Sequence, residues 1–149
     1  FLERADNTAR ILDVKYYLLL PSVAHIGGSM DMVQWDMILR SVSAHSSFRW
    51  TYGSDVSALL VADFLILNEK MPRSLAYCHQ IVRQSLVEVE RGYDRDVEKS
   101  PALALANAQN WRDPIDVIFE NGLHQYLRSF LSANAALAGQ IERDYRFAE

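Results

Sequence analysis

A single cysteine, Cys78, stands in 149 residues. That excludes an internal disulfide framework and a thiolate zinc site, and makes a reducing cytoplasm the expected compartment. Basic excess is missing too. Lys and Arg number 15 against 19 Asp and Glu, a net charge of −4 with no basic patch, which argues against nucleic acid as a partner. No apolar run approaches the roughly 20 residues that span a bilayer, so no membrane partner is expected. The start at Phe1 lacks the basic segment of a signal peptide. No stretch alternates cleanly between turns as a strand would. The four prolines, Pro21, Pro72, Pro101 and Pro114, all fall where helix boundaries are expected.

Catalytic signatures are equally scarce. No Gly-x-Ser-x-Gly, His-Glu-x-x-His or Glu-x-x-His occurs, and Gly27-Gly28-Ser29 lacks the lysine and spacing of a phosphate loop. No metal and no cofactor is expected.

What is present is helical. Half of the residues are hydrophobic and 23% are charged, a globular composition of one domain's length. Leu2, Ala5, Ala9, Leu12, Tyr16 and Leu19 recur at steps of three and four, predicting a first helix that stops at Pro21. No capping residue precedes Phe1, so the chain reads as opening in mid-helix. A loop follows through Gly27 and Gly28, and then a second helix, capped by Ser29 or Asp31, to about Ala44. Ser46 to Gly53 reads as an aromatic-rich connector. Ser54 or Asp55 caps a third helix with Val56, Leu59, Leu60, Phe64 and Leu67 inward, and Pro72 opens a fourth that ends near Gly92. The run Glu88 to Lys99 reads as a solvated turn. Ser100-Pro101 starts a short helix to about Trp111, and Asp113-Pro114 starts the longest, with Gly122 inside it at a close helix approach. The expected fold is all-α: a bundle of five or six mostly antiparallel helices, 1–149 forming a single helical domain that is part of a larger one.

Glu3, Asn7 and Arg10 share one face of the first helix, so Glu3 is expected to pair with Arg10, while Arg4 points about 100° away. Asp63 falls on an apolar face and needs a donor, with Arg4, Arg10 or Arg73 as candidates. His124 follows Glu120 by four residues. Glu3, Asp63 and His124 are thus the candidate catalytic groups, and Arg4, Asn7 and Arg10 the candidate ligand-binding ones, since guanidinium matches carboxylate and phosphate. Simple structural pairing outweighs these roles for each. Cys78 reads as a buried thiol, and Trp35, Trp50, Tyr52 and Tyr126 as core and loop anchors.

The opening Leu2-Glu-Arg-Ala-Asp-Asn-Thr-Ala-Arg-Ile-Leu-Asp-Val14 resembles the signature of the bacterial alpha-E family, a helical domain with a Glu-Arg motif. Similar to it as well are Tyr17 to Ser22 with Gly27-Gly28 and Trp35, and Phe64 to Leu67 leading to Pro72-Arg-Ser-Leu-Ala-Tyr-Cys78. So are Ile115-Asp116, Gly122-Leu-His124 and Asp144-Tyr-Arg-Phe147. Asp63 and Asn121 depart from its commoner residues. The resemblance is to the C-terminal half, implying an absent N-terminal half. It also implies an accessory or binding module associated with ATP-grasp peptide or amide ligases and transglutaminase-like proteins. The alternatives are an enzyme on a small anionic or peptide-like substrate, with Glu3/Asp63 as acid and base and Arg4/Arg10 as anchors, or a structural, homo-oligomerising domain.

Overall fold

The computed structural model describes residues 1–18 and 28–146. Leu19, Pro21, His25, Gly27 and Phe147 lie outside them, as does the side chain of Tyr16.

Among the described residues eight α-helices follow one another: α1 (Leu2–Leu18), α2 (Ser29–Ser41), α3 (His45–Tyr52), α4 (Ala58–Ile66), α5 (Leu75–Gly92), α6 (Pro101–Ala108), α7 (Ile115–Asn121) and α8 (Leu123–Tyr145). A 3-10 turn, Val97–Lys99, precedes α6, and no strand occurs among the described residues. The class is as expected; the count of five or six is not. The connector Ser46–Gly53 is helical, because Phe48 is wholly buried and holds His45–Tyr52 against its neighbours. The long last helix is two, because Gly122 takes φ 100 and ψ 108, a conformation no helix contains. Close approach is not its reason: a Cβ there would meet only the Gln125 Cβ, at 3.8 Å.

Starts follow local chemistry, in places one turn from the expected position. Ser100 Oγ accepts from Leu103 N with Pro101 first in α6, as the Ser-Pro pair implies. α4 is capped by Ser57, not Ser54 or Asp55, and α5 by Ser74, not opened at Pro72. Asn68 Oδ1 accepts from Lys70 N and Met71 N, both at 2.9 Å, and this turn delays α5 past Pro72. Ser29 is the first residue of α2, with Gly28 at the cap position and no side-chain cap bond. That helix stops at Ser41, before the positive φ of Ser43. α6 ends at Ala108, short of Trp111.

The hydrogen bonds give helix directions. Asn134 on α8 donates to Leu2 O while His124 meets Asp13, so α1 and α8 run antiparallel. Arg83–Asn107 with Glu90–Ser100 sets α5 against α6 in the same sense. Gln109–Ala133 with Ala102–Asp144 does so for α6 and α8. α1 packs on α8, α5 and α2 and is the centre of the bundle.

The main core gathers Ala5, Ala9, Leu12, Phe48, Leu65 and Phe130 with their neighbours, and a smaller one joins Val82, Leu86, Ala102, Leu103 and Leu137. Each fully buried Leu or Phe contributes about 1.5–3 kcal/mol. Leu59 departs from expectation: it is 45% exposed, while Val61, Leu65 and Ile66 take the inward face of α4. Trp35 is core, but Trp50 is 92% exposed and anchors nothing.

Candidate functional site

The polar residues of α1 divide among three environments. At its start Glu3, Asn7 and Arg10 are exposed side by side. Arg10 does not pair with Glu3. Its Nε and Nη2 donate to the Asp6 carboxylate at 2.7 and 3.2 Å, the i, i+4 geometry that a helix favours. That hydrogen bond, and then the Asp6 charge, raise the Arg10 pKa further. Glu3 lies instead at the rim of an apolar groove beside Leu2, Val82, Leu86 and Ile141. Arg4 turns away, as its helical angle requires. Its guanidinium lies over the Phe1 ring at 4.6 Å and donates to Pro72 O at 3.3 Å.

At the far end of α1, Asp13 Oδ1 lies 2.5 Å from His124 Nδ1, both side chains mostly buried. His124 does not act with Glu120: the break at Gly122 puts the two on different helices, and Glu120 is exposed. Two residues on, Lys15 is 3% exposed at its side chain, and its Nζ donates to Asp31 Oδ1 and Gln34 Oε1, both at 2.6 Å. The ammonium also lies 5.3 Å from the centre of the Trp35 ring, a cation–π contact.

Asp63 is elsewhere. No arginine is its partner; the Tyr52 hydroxyl donates to Asp63 Oδ2 at 2.6 Å, in a cluster where Phe48, Tyr52 and Phe64 stack edge to face or tilted. Burial, and then this hydrogen bond, push the Tyr52 pKa up to about 12. Glu3, Asp63 and His124 therefore occupy three neighbourhoods and do not form one acid–base pair.

The run Glu88 to Lys99 is not merely a solvated turn. Glu90 within it is 3% exposed and accepts from the Tyr145 hydroxyl at 2.5 Å. The hydroxyls of Tyr145 and then Ser100 hold its carboxyl below the usual range. Burial, and then Glu90, raise Tyr145 to about 12. Cys78 is fully buried, and burial raises its thiol pKa, so it is a poor nucleophile.

Asp13, Lys15 and Glu90 were not among the expected site residues. Two carry a signal: Lys15 follows Leu12 by three and Glu90 follows Leu86 by four, each a charge in register with an apolar stripe. Among the described residues, no three His, Cys, Asp or Glu side chains gather as a metal site, and no helix is long and apolar enough to cross a membrane.

A family model named Alpha-E, described as "a predicted alpha-helical domain with a conserved ER motif", matches residues 1–146. No curated protein and no solved structure matches the chain. Glu-Arg occurs at Glu3-Arg4, Glu90-Arg91 and Glu142-Arg143. In the first pair the two side chains diverge, and in the second the acid is buried and the base exposed.

Proposed function

The chain belongs to the Alpha-E family, and from that premise we propose that it is a helical accessory or binding module in a peptide-modifying system. Its partner is an ATP-grasp peptide or amide ligase or a transglutaminase-like protein, in a reducing cytoplasm. The link to those proteins comes from the resemblance of the family. The observation that carries the binding role is the separation of Glu3, Asp63 and His124, each in its own surroundings, beside an exposed polar face of Glu3, Asn7 and Arg10 on α1. An acid–base enzyme needs its groups at one reacting atom; a docking face needs them accessible, as these three are.

The test is co-purification with a ligase or transglutaminase-like protein encoded beside it. Glu3→Gln, Asn7→Ala and Arg10→Gln are expected to leave folding intact and weaken partner binding about tenfold or more. Retained binding in all three, or turnover of a peptide by this chain alone, overturns the reading.

A second reading, assembly with another copy, is favoured by α2. Met30, Val33 and Met37 fall on one helical stripe and are 60%, 55% and 57% exposed. Met37→Lys is expected to dissociate such an assembly in sedimentation analysis; a wild-type chain that stays monomeric at high concentration excludes it.

A further inference from the structure

A cavity of about 220 Å³ opens between α5 and the chain that joins α6 to α7, away from the polar face of α1. On the order of seven waters' volume fits in it, at about 30 Å³ each, so it suits a headgroup and not a drug-sized molecule. α5 supplies His79, Gln80 and Arg83, and the α6–α7 segment supplies Asn107, Asn110 and Arg112. Their positions on α5 follow helical spacing, so they present one side to the cavity. No carboxylate lines it among the described residues.

The donors there are held but not spent. Arg83 Nε donates to Asn107 Oδ1 at 2.7 Å, which fixes the guanidinium plane and leaves its other N–H groups and the Asn107 amide N–H groups to donate. Arg112 meets Glu69 at 3.1 Å, but the two side chains are 68% and 57% exposed. Such a surface pair contributes little and yields readily to a better-placed anion. The C-terminal end of α6 adds about half a negative charge nearby, which two guanidiniums outweigh. One observation points to a missing occupant: Ala106 and Gln109 engage the His79 ring, yet its Nε2 is buried and meets no hydrogen-bond partner. A buried polar nitrogen without a partner costs stability, so such atoms are uncommon.

We propose that this cavity binds a small oxyanion, carboxylate or phosphate, gripped by Arg83 and Arg112 with amide N–H groups of Asn107 and Asn110, and His79 at its floor. The guanidinium fork suits either oxyanion, and the side-chain amides supply neutral donors around it. This site is independent of the docking role of α1 and stands or falls separately. Burial, and then the Arg83 charge, hold the His79 pKa below its ordinary value against the opposing hydrogen bonds of Ala106 and Gln109, with Arg112 adding to the lowering. An anion that neutralises the two arginines removes that repulsion, so His79 takes up a proton more readily in the bound state.

The experiment titrates the full chain with inorganic phosphate and, separately, with N-acetylglycine, reading the His79 ring by NMR. A saturable shift with either probe, and a higher His79 titration midpoint in its presence, is expected. Saturation by phosphate alone assigns a phosphate ligand, and by N-acetylglycine alone a carboxylate. Arg83→Gln weakens binding about tenfold or more, while Arg91→Gln, exposed further along α5, leaves it unchanged. Arg112→Gln, at an exposed side chain, carries the same expectation should Arg83→Gln fail to fold. No saturable shift with either probe, or unaltered affinity in both cavity variants, overturns the proposal.

Discussion

Asp13 and His124 stand 111 positions apart and meet at 2.5 Å, carboxylate oxygen to Nδ1, where α1 crosses the start of α8. Both side chains are mostly out of solvent, at 16% and 21% exposure, so the bond is shielded from water. Removing either partner takes this bond from the other in a half-buried place. Asp13→Asn and His124→Gln are each expected to cost about 1–3 kcal/mol in urea unfolding. The double variant should lose less than the sum of the two. Additive losses would mean that the contact contributes nothing of its own.

The Glu90–Tyr145 bond predicts a pH effect of definite sign. The folded carboxyl is held below its ordinary pKa, so its contribution is present above the unfolded carboxylate range and lost as pH falls through the folded value. Below about pH 4 wild type should therefore lose its margin over Glu90→Gln, with unfolding midpoints converging on acidification. Tyr145 runs the other way. Its folded pKa of about 12 is raised, so its contribution is full below the ordinary tyrosine value and disappears as pH rises through that range. Ultraviolet titration of wild type against Tyr145→Phe reads it directly.

Two glycines should respond oppositely. Gly122 has φ 100, where any other residue is strained, so Gly122→Ala is expected to destabilise by about 1–3 kcal/mol. Gly139 lies within α8, and a Cβ there meets only the end of the flexible Arg143 side chain, at 3.5 Å. Gly139→Ala should stabilise by up to about 1 kcal/mol. Thermal melts of the two variants decide both.

Lys15 is the most buried cation described, and Asp31 leans on it. Lys15→Met, which keeps the volume, is expected to cost about 3 kcal/mol or more by removing the buried ammonium that donates to both Asp31 and Gln34. Lys15→Met with Asp31→Asn should recover part of that loss. Equal stability of the single and double variants in urea would dismiss the pair.

Much of the fold was legible because its signals are local. The apolar stripe of α1, the Ser100-Pro101 start and the buried face of α5 through Leu75, Cys78, Val82 and Leu86 are each fixed within a few residues. The failures have physical causes. His45–Tyr52 is poor in strong helix formers, and tertiary burial of Phe48 overrides that weakness. The sequence places Gly122 inside a helix at a close approach, and only its φ distinguishes a break from such a residue. For the site, Glu3, Asn7 and Arg10 share one face, but Glu3 stands seven residues from Arg10, and Asp6, four residues away, takes the guanidinium instead. Asp13 with His124, and Tyr52 with Asp63, are made by packing between helices, and no spacing rule reaches them.

The central position of α1 also orders events during synthesis. The ribosome makes this helix before any other described here, yet α8, which packs on it most extensively, is the last of the described helices to be translated. Between the two, the nascent chain carries the Ala5–Ala9–Leu12 ridge without its α8 cover, and this core consolidates only once α8 leaves the exit tunnel.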